Sequence, residues 1–210
     1  MAGGDKMIDV EKAAGLWIVT IRRPEKANSL TKTMLEDLAG VADSAGRDGA
    51  KALILTGSGR VFSAGADLDE ARAGLALDPV WERLSGTLAA LPCLTIAALN
   101  GTLAGGAFGM ALACDIRLAI PEAKFFYPVM TLGFLPQPSD PLRLAALVGP
   151  SRAKMILMAG QKIAAEQAYC WGLIDRIVAP ESLLESARSL ADDVLKAQPD
   201  HVAGIKAMIG

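Results

Sequence analysis

From Leu84 to Cys114 the chain carries no charged side chain. A run of that length could cross a bilayer as one helix, but Pro92, Asn100, Gly101, Gly105, Gly106 and Gly109 interrupt it. Proline removes a helical hydrogen bond and glycine weakens a helix interior, so a single span does not survive them. The run reads instead as the end of a helix, a buried strand at Leu94 to Leu99, a glycine turn, and a second buried helix from Gly105 to Cys114. A strand with no polar alternate position needs cover on both faces, which helices packed on a parallel sheet provide. The segment therefore points to an α/β fold in water and away from a membrane.

The remaining runs fit that class. Met7 to Lys12 and Leu16 to Arg22 read as a hairpin about Ala13, Ala14 and Gly15. Thr31 is placed to cap an amphipathic helix bearing Met34, Leu35, Leu38 and Val41. Lys51 to Thr56 is a buried strand, closed by the turn Gly57-Ser58-Gly59, and a helix from Val80 to Leu91 stops at Pro92. Asp115 to Ile120 reads as a further strand, after which come Phe125 to Tyr127. A proline-rich loop leads to helical runs at 142–147, 152–158 and 165–171. A strand at 173–178 and an amphipathic helix at 183–196 precede a short tail. No repeat or low-complexity linker divides the 210 residues. We expect one domain over 1–210, its core at about 7–180 and C-terminal helices over 181–210.

Composition bounds the partners. The formal charge of -2, with no Lys/Arg-rich run, offers no field for nucleic acid. The hydrophobic fraction of 52% and mean hydropathy of +0.34 are high for a chain in water and point to self-association. Cys93, Cys114 and Cys170 have no paired spacing and read as reduced core thiols. The N-terminus lacks a basic region followed by an apolar one, so we see no secretory signal and expect a cytoplasmic protein. One histidine, His201, and no paired cysteines give no metal site.

Two glycine-containing turns each follow a buried strand, in KALILTGSGRVFSAGADL and LTIAALNGTLAGGAFGMALACDI. Glycine lets a backbone approach a ligand closely, and a turn that opens a helix leaves N–H groups unpaired. Side by side, two such turns could aim two amides at one oxygen. They could equally be tight turns between packed elements. Neither G-x-G-x-x-G opening a helix nor a phosphate-binding G-x-x-x-x-G-K-[ST] is present. The residues alone thus suggest an anion or carbonyl site of unspecified purpose.

RPEKANSL, FSAGADL and NGTLAGGAFGMALACDI, in that order and spacing, resemble the consecutive signatures of the crotonase (enoyl-CoA hydratase/isomerase) superfamily. The resemblance implies a spiral of ββα units, assembly as a homotrimer or dimer of trimers, and an acyl-CoA substrate. It implies no permanently bound cofactor, coenzyme A entering as the thioester part of the substrate, in fatty-acid metabolism or related chemistry. Carried onto this chain, it makes the amides of Ala66 and Gly106 oxyanion donors to a thioester enolate. Ala64, Asp67 and Leu68 would line the adenine and pantetheine path. Lys26, beside Ala27, would meet the CoA phosphates, and Gly106, Gly109 and Val129 would face the acyl pocket. The resemblance also makes the C-terminal helical region shorter than in relatives.

The pattern fails where a hydratase needs its carboxylates. One position is Gly109 and the other Val129, and neither side chain can exchange a proton. Tyr127, two residues before Val129 on an extended segment, could donate a proton to an enolate, or could be a buried aromatic with a satisfied hydroxyl. The resemblance puts Asp140, another candidate acid or base, in the loop that caps the acyl pocket of relatives, but it reads as easily as the N-cap of the helix beginning near Leu142, the reading we favour. Asp69 and Glu70 read as solvent-facing helix charges, and Asp115 as a packing residue. The reading is an isomerase, decarboxylase or C–C lyase rather than a hydratase. The alternative is a non-catalytic acyl-thioester-binding or interaction protein of the same fold.

Overall fold

In the computed structural model, which describes residues 6–209, the apolar runs pair as buried strands. Residues 1–5, the start of the N-terminal stretch on which the expectation about a secretory signal rests, and Gly210 lie outside the described residues. The chain opens with the antiparallel pair β1 (Ile8–Ala13) and β2 (Leu16–Ile21). The turn between them places both Ala14 and Gly15 at positive φ, the backbone that matches the twist of a two-residue hairpin. Then come α1 (Lys32–Arg47), β3 (Ala52–Gly57), β4 (Val61–Ser63), α2 (Leu68–Arg72) and α3 (Val80–Ala89). They are followed by β5 (Leu94–Leu99), β6 (Thr102–Ala104), α4 (Phe108–Ala113), β7 (Ile116–Ala119), β8 (Lys124–Phe126) and α5 (Val129–Leu132). The C-terminal part holds α6 (Asp140–Val148), α7 (Pro150–Leu157), β9 (Ile163–Ala164), α8 (Ala165–Trp171), β10 (Arg176–Ile177), α9 (Leu183–Lys196) and α10 (Pro199–Ile209).

Six strands form one sheet in the order β1-β2-β3-β5-β7-β10, parallel except at the opening hairpin. Four short strands form a second sheet in the order β4-β6-β8-β9. The chain therefore repeats one move: a long strand, a corner, a short strand, then a helix, as β3-β4-α2, β5-β6-α4 and β7-β8-α5. This is the expected spiral of ββα units. Every residue of β3 but the last, and of β5 but the first, is buried, as strands lacking a polar alternate must be.

The corners are braced by two asparagines. Asn28, fully buried and at φ 51, donates to Ser58 O at 2.9 Å and Val61 O at 2.7 Å, and accepts from the Arg23 amide. Asparagine tolerates that left-handed backbone better than most residues. Asn100 accepts from the Gly57 amide at 3.0 Å and donates to Gly59 O at 3.0 Å. A side chain at Gly101 would collide with the carbonyl of Arg60, so this corner admits only glycine.

Several boundaries differ from the sequence reading. The strands β4 and β6 have three residues each, too short to show a period. The segment read as a tail is the helix α10, anchored by Lys206, whose Nζ donates to Cys93 O at 3.0 Å and Asp115 Oδ2 at 2.8 Å. Gly204 in its middle had weakened the helical signal. Asp115 also accepts from the amide and hydroxyl of Thr95, a packing role as expected. Of the three thiols only Cys93 and Cys114 are buried, burial pushing them up to about 11 and about 12; Cys170 is exposed, because α8 turns that face outward. Among the described residues no helix is long and apolar enough to cross a membrane.

Candidate active site

The two glycine turns lie against one another. A Cβ on Gly65, which sits at φ +90, would be 2.9 Å from Ala104 O and 3.4 Å from Gly106 N, a contact only a bare α-carbon permits. Next to it, Ala66 bridges Leu30 in parallel, through Leu30 N to Gly65 O and Asp67 N to Leu30 O, each 2.8 Å. Such a bridge uses the groups flanking Ala66, so the Ala66 N–H points away from it. Gly106 lies in the first turn of a 3₁₀ segment, Gly105–Ala107, where an N–H has no partner inside its own helix. Ala66 and Gly106 both line one cavity of about 290 Å³, together with Ala64, Leu68, Tyr127 and Val129.

Apart from Gln137, the remainder of that cavity wall is apolar, with Trp81, Leu132, Phe134 and Leu135 in it. The Trp81 indole N–H donates to Leu75 O at 2.8 Å, which fixes the ring that a side chain at Gly106 would meet at 3.2 Å. These walls were not singled out in the sequence, because α3 and the loop after α5 reach the site only through the fold.

The loop from Ala64 to Leu68 is tied down from one side by the segment from Arg23 to Ser29. The Ala64 amide donates to Ala27 O at 3.0 Å. The Arg23 guanidinium donates to Asp67 at 2.8 Å and to the carbonyl and hydroxyl of Ser29, both at 3.1 Å. Asp67 in turn accepts from the amides of Asp69 and Glu70 at the start of α2. Arg23 holds the Asp67 carboxyl below its usual range. The carboxylate is thus engaged in ordering the loop, and Asp67, like Ala27, is not part of the cavity wall. Lys26 is exposed and makes no ion pair among the described residues. Glu70 accepts from the Lys32 amide at 2.7 Å and is only partly exposed, whereas Asp69 is exposed as expected and pairs with Arg72 at 3.5 Å. Arg23→Met should lower stability by about 1–2 kcal/mol through the lost charged hydrogen bonds. The change in urea midpoint of the variant measures it, with the greatest increase in amide hydrogen exchange expected over 64–70.

Deeper than the wall stands a carboxylate that the sequence placed elsewhere. Asp140 is not the N-cap of α6: Ser139 precedes it there, and the Ser139 amide and hydroxyl donate to Glu82 at 2.9 and 2.6 Å. Asp140 is 1% exposed and accepts from the Tyr127 hydroxyl at 2.9 Å through Oδ2, while Oδ1 is buried without a hydrogen-bond partner. Burial, more than any other cause, pushes its carboxyl up to about 7; Tyr127 and Arg143 pull against that shift and Glu82 adds to it. The Tyr127 hydroxyl also accepts from the Gln137 amide at 3.4 Å, and its ring stacks on Phe108 at 5.4 Å. Burial drives the phenol far above its usual range. The Tyr127 hydroxyl is therefore satisfied, as one of the two sequence readings had it, and the residue also lines the cavity.

Gly109 is packed inside α4 and does not reach the cavity wall. A Cβ there would come 2.9 Å from Asp140 Oδ1, so the carboxylate from α6 stands where a side chain at 109 would begin. Local sequence gave no sign of this, since the two positions belong to different elements.

A larger groove, about 790 Å³, runs between α9, α10 and the β5–β7 part of the sheet, with Leu94, Ile116, Val194 and Ile205 in its walls. It contains none of the glycine-turn residues, so size alone does not choose the site. The two glycine turns line the smaller cavity, and the buried Asp140 stands behind its wall, bonded to Tyr127.

The model of the enoyl-CoA hydratase/isomerase family matches residues 11–209. The 1,2-epoxyphenylacetyl-CoA isomerase of Escherichia coli (strain K12) is 34% identical over 206 residues, covering 93% of this chain and 78% of that protein. The solved enoyl-CoA hydratase from Bacillus anthracis superposes with a TM-score of 0.88 at 32% identity, covering 97% of this chain and 82% of that one. Pseudomonas aeruginosa DspI superposes with a TM-score of 0.89, also at 32% identity, covering 99% and 88%.

Proposed function

Because the chain belongs to the enoyl-CoA hydratase/isomerase family, we propose that it binds an acyl-CoA thioester and stabilises the enolate by hydrogen bonds from the Ala66 and Gly106 amides. The observation that carries this reading is the abutment of Gly65 on Gly106 N, which sets the two glycine turns side by side on one largely apolar cavity. Fixed donors at a developing oxyanion in a water-poor site are each worth about 3–4 kcal/mol of barrier. The apolar walls suit an acyl chain. The exposed Lys26 beside the loop suits a phosphate of coenzyme A.

Isomerisation, decarboxylation or C–C cleavage fits the residues better than hydration. Hydration needs a base to activate water at the β-carbon and an acid at the α-carbon, and Gly109 and Val129 supply neither. The same two positions favour a second reading, a protein that binds the thioester without turning it over.

Calorimetric titration with crotonyl-CoA, a 3-enoyl-CoA and methylmalonyl-CoA, followed by mass spectrometry of each mixture, tests both readings. Binding of the thioesters with a rearranged or decarboxylated product, and no hydrated crotonyl-CoA, is the expected result. Binding without any product supports the second reading. No binding of any thioester removes the proposed role altogether.

A further inference from the structure

We infer that Tyr127 and Asp140 form a proton-shuttling pair that moves a double bond in a β,γ-unsaturated thioester, the Tyr127 hydroxyl touching the substrate and Asp140 acting through it as the positioning residue. The inference rests on the enolate-stabilising reading above and adds to it a substrate class and the groups that handle the proton.

Three features place the pair. Tyr127 lines the cavity shared by Ala66 and Gly106 and carries the one titratable side chain in its wall. Its hydrogen is committed to Asp140 Oδ2 at 2.9 Å and its oxygen accepts from the Gln137 amide, leaving the oxygen able to receive a second proton only as the first departs toward Asp140. Asp140 Oδ1 is buried without a partner, and the missing side chain of Gly109 leaves it room. Buried carboxylates are normally fully paired, so an orphaned oxygen beside a reaction cavity is a retained cost. The neighbouring carboxylate on α3, Glu82, is occupied by Ser139 and cannot take the same part.

The step balances without a co-reactant. The Cα–H bond of the substrate breaks and its proton passes to Tyr127 Oη, while the former hydroxyl proton passes to Asp140 Oδ2. The C–H electron pair enters the thioester carbonyl, forming the enolate at the two amides. In the second half Oη delivers a proton to the γ-carbon and recovers one from Asp140, and the enolate electrons return to form the α,β double bond. Tyr127 gives and takes a proton together and never becomes a phenolate, so its strongly raised pKa is no obstacle. The pair must start with Asp140 ionised. Glu82 on α3 raises the carboxyl, whereas Tyr127 and Arg143 on α6 lower it, and burial outweighs all three.

The test uses the full chain with 3-hexenoyl-CoA in deuterated buffer, following the absorbance of the conjugated product and deuterium uptake by mass spectrometry. Isomerisation and exchange should rise with pH through about 7, where Asp140 ionises. Asp140→Asn and Tyr127→Phe should each slow both by about 100-fold or more and abolish the pH step, while thioester affinity by calorimetry stays within about threefold. A packing role alone would leave the pH step in place. Wild-type speed with the same pH step in Asp140→Asn overturns the proposal; if that variant does not fold, the same result in Tyr127→Phe, which keeps the ring on Phe108, does so. Thioester binding by the wild type without isomerisation or exchange also overturns it, while leaving the binding site itself standing. Absence of thioester binding instead removes the underlying reading, and the shuttle with it.

Discussion

Gly106→Pro is expected to lower enolate-dependent turnover of a bound thioester by about 10²- to 10³-fold, the loss typical of one oxyanion donor. Proline has no N–H, and its fixed φ is tolerated in the first turn of a helix, so the backbone around 106 need not unravel. Any side chain at 106 meets the Trp81 ring at 3.2 Å, so packing strain must be separated from the missing donor. Gly106→Ala supplies that separation, because it presses on Trp81 equally and keeps the amide. We expect it to lose roughly tenfold or less, with the deficit mainly in KM. The deficit of the proline variant should fall on kcat, since the donor acts on charge that appears only at the enolate. Equal rates for the two variants would mean that the Gly106 amide is not a donor to the substrate.

Asp140→Asn is expected to stabilise the protein at pH 8 while it slows the reaction. The folded state holds this carboxyl near 7, against 3.8 as its ordinary value. Below 3.8 both folded and unfolded chains keep the proton, and wild type and variant should unfold alike. As pH rises from there toward 7 the unfolded chain gives up its proton first, so wild-type stability falls. Above about 7 the whole cost of burying the charge is present, roughly 4 kcal/mol at most by linkage. Asparagine carries no charge, can still accept from Tyr127, and leaves both amide hydrogens unpaired where Oδ1 has no partner, at a cost on the order of 1–3 kcal/mol. Thermal unfolding should therefore show a gain of several degrees at pH 8 that vanishes near pH 3. A melting temperature that changes equally at both pH values would show that Asp140 is not the group whose ionisation the fold resists.

The two predictions meet in the same few residues, and they were not equally visible in the chain. Thr31 capping α1 through the Met34 amide, the bounds of β5 and of α9, and the hairpin turn at Ala14 and Gly15 all follow from short-range rules. Ala66 and Gly106 were picked out by the resemblance of FSAGADL and NGTLAGGAFGMALACDI to family signatures, the glycine turns by themselves suggesting only an anion or carbonyl site. Asp140 carried a different local message. A lone aspartate just before a helical run is usually a cap, yet Ser139 and Glu82 form that end of α6 and the carboxylate turns inward. Its hydrogen-bond partner lies 13 residues away, and the space it fills belongs to Gly109 on α4.

Periodicity, caps and turn chemistry act over a few residues, so the buried strands, most of the helices and the glycine turns were determined by the chain as written. Which acid stands near those turns, and what its pKa becomes, was decided only when α6 packed against α3, α4 and Tyr127. Burial and orphaned oxygens are properties of the space between elements, and no short stretch of sequence contains that space.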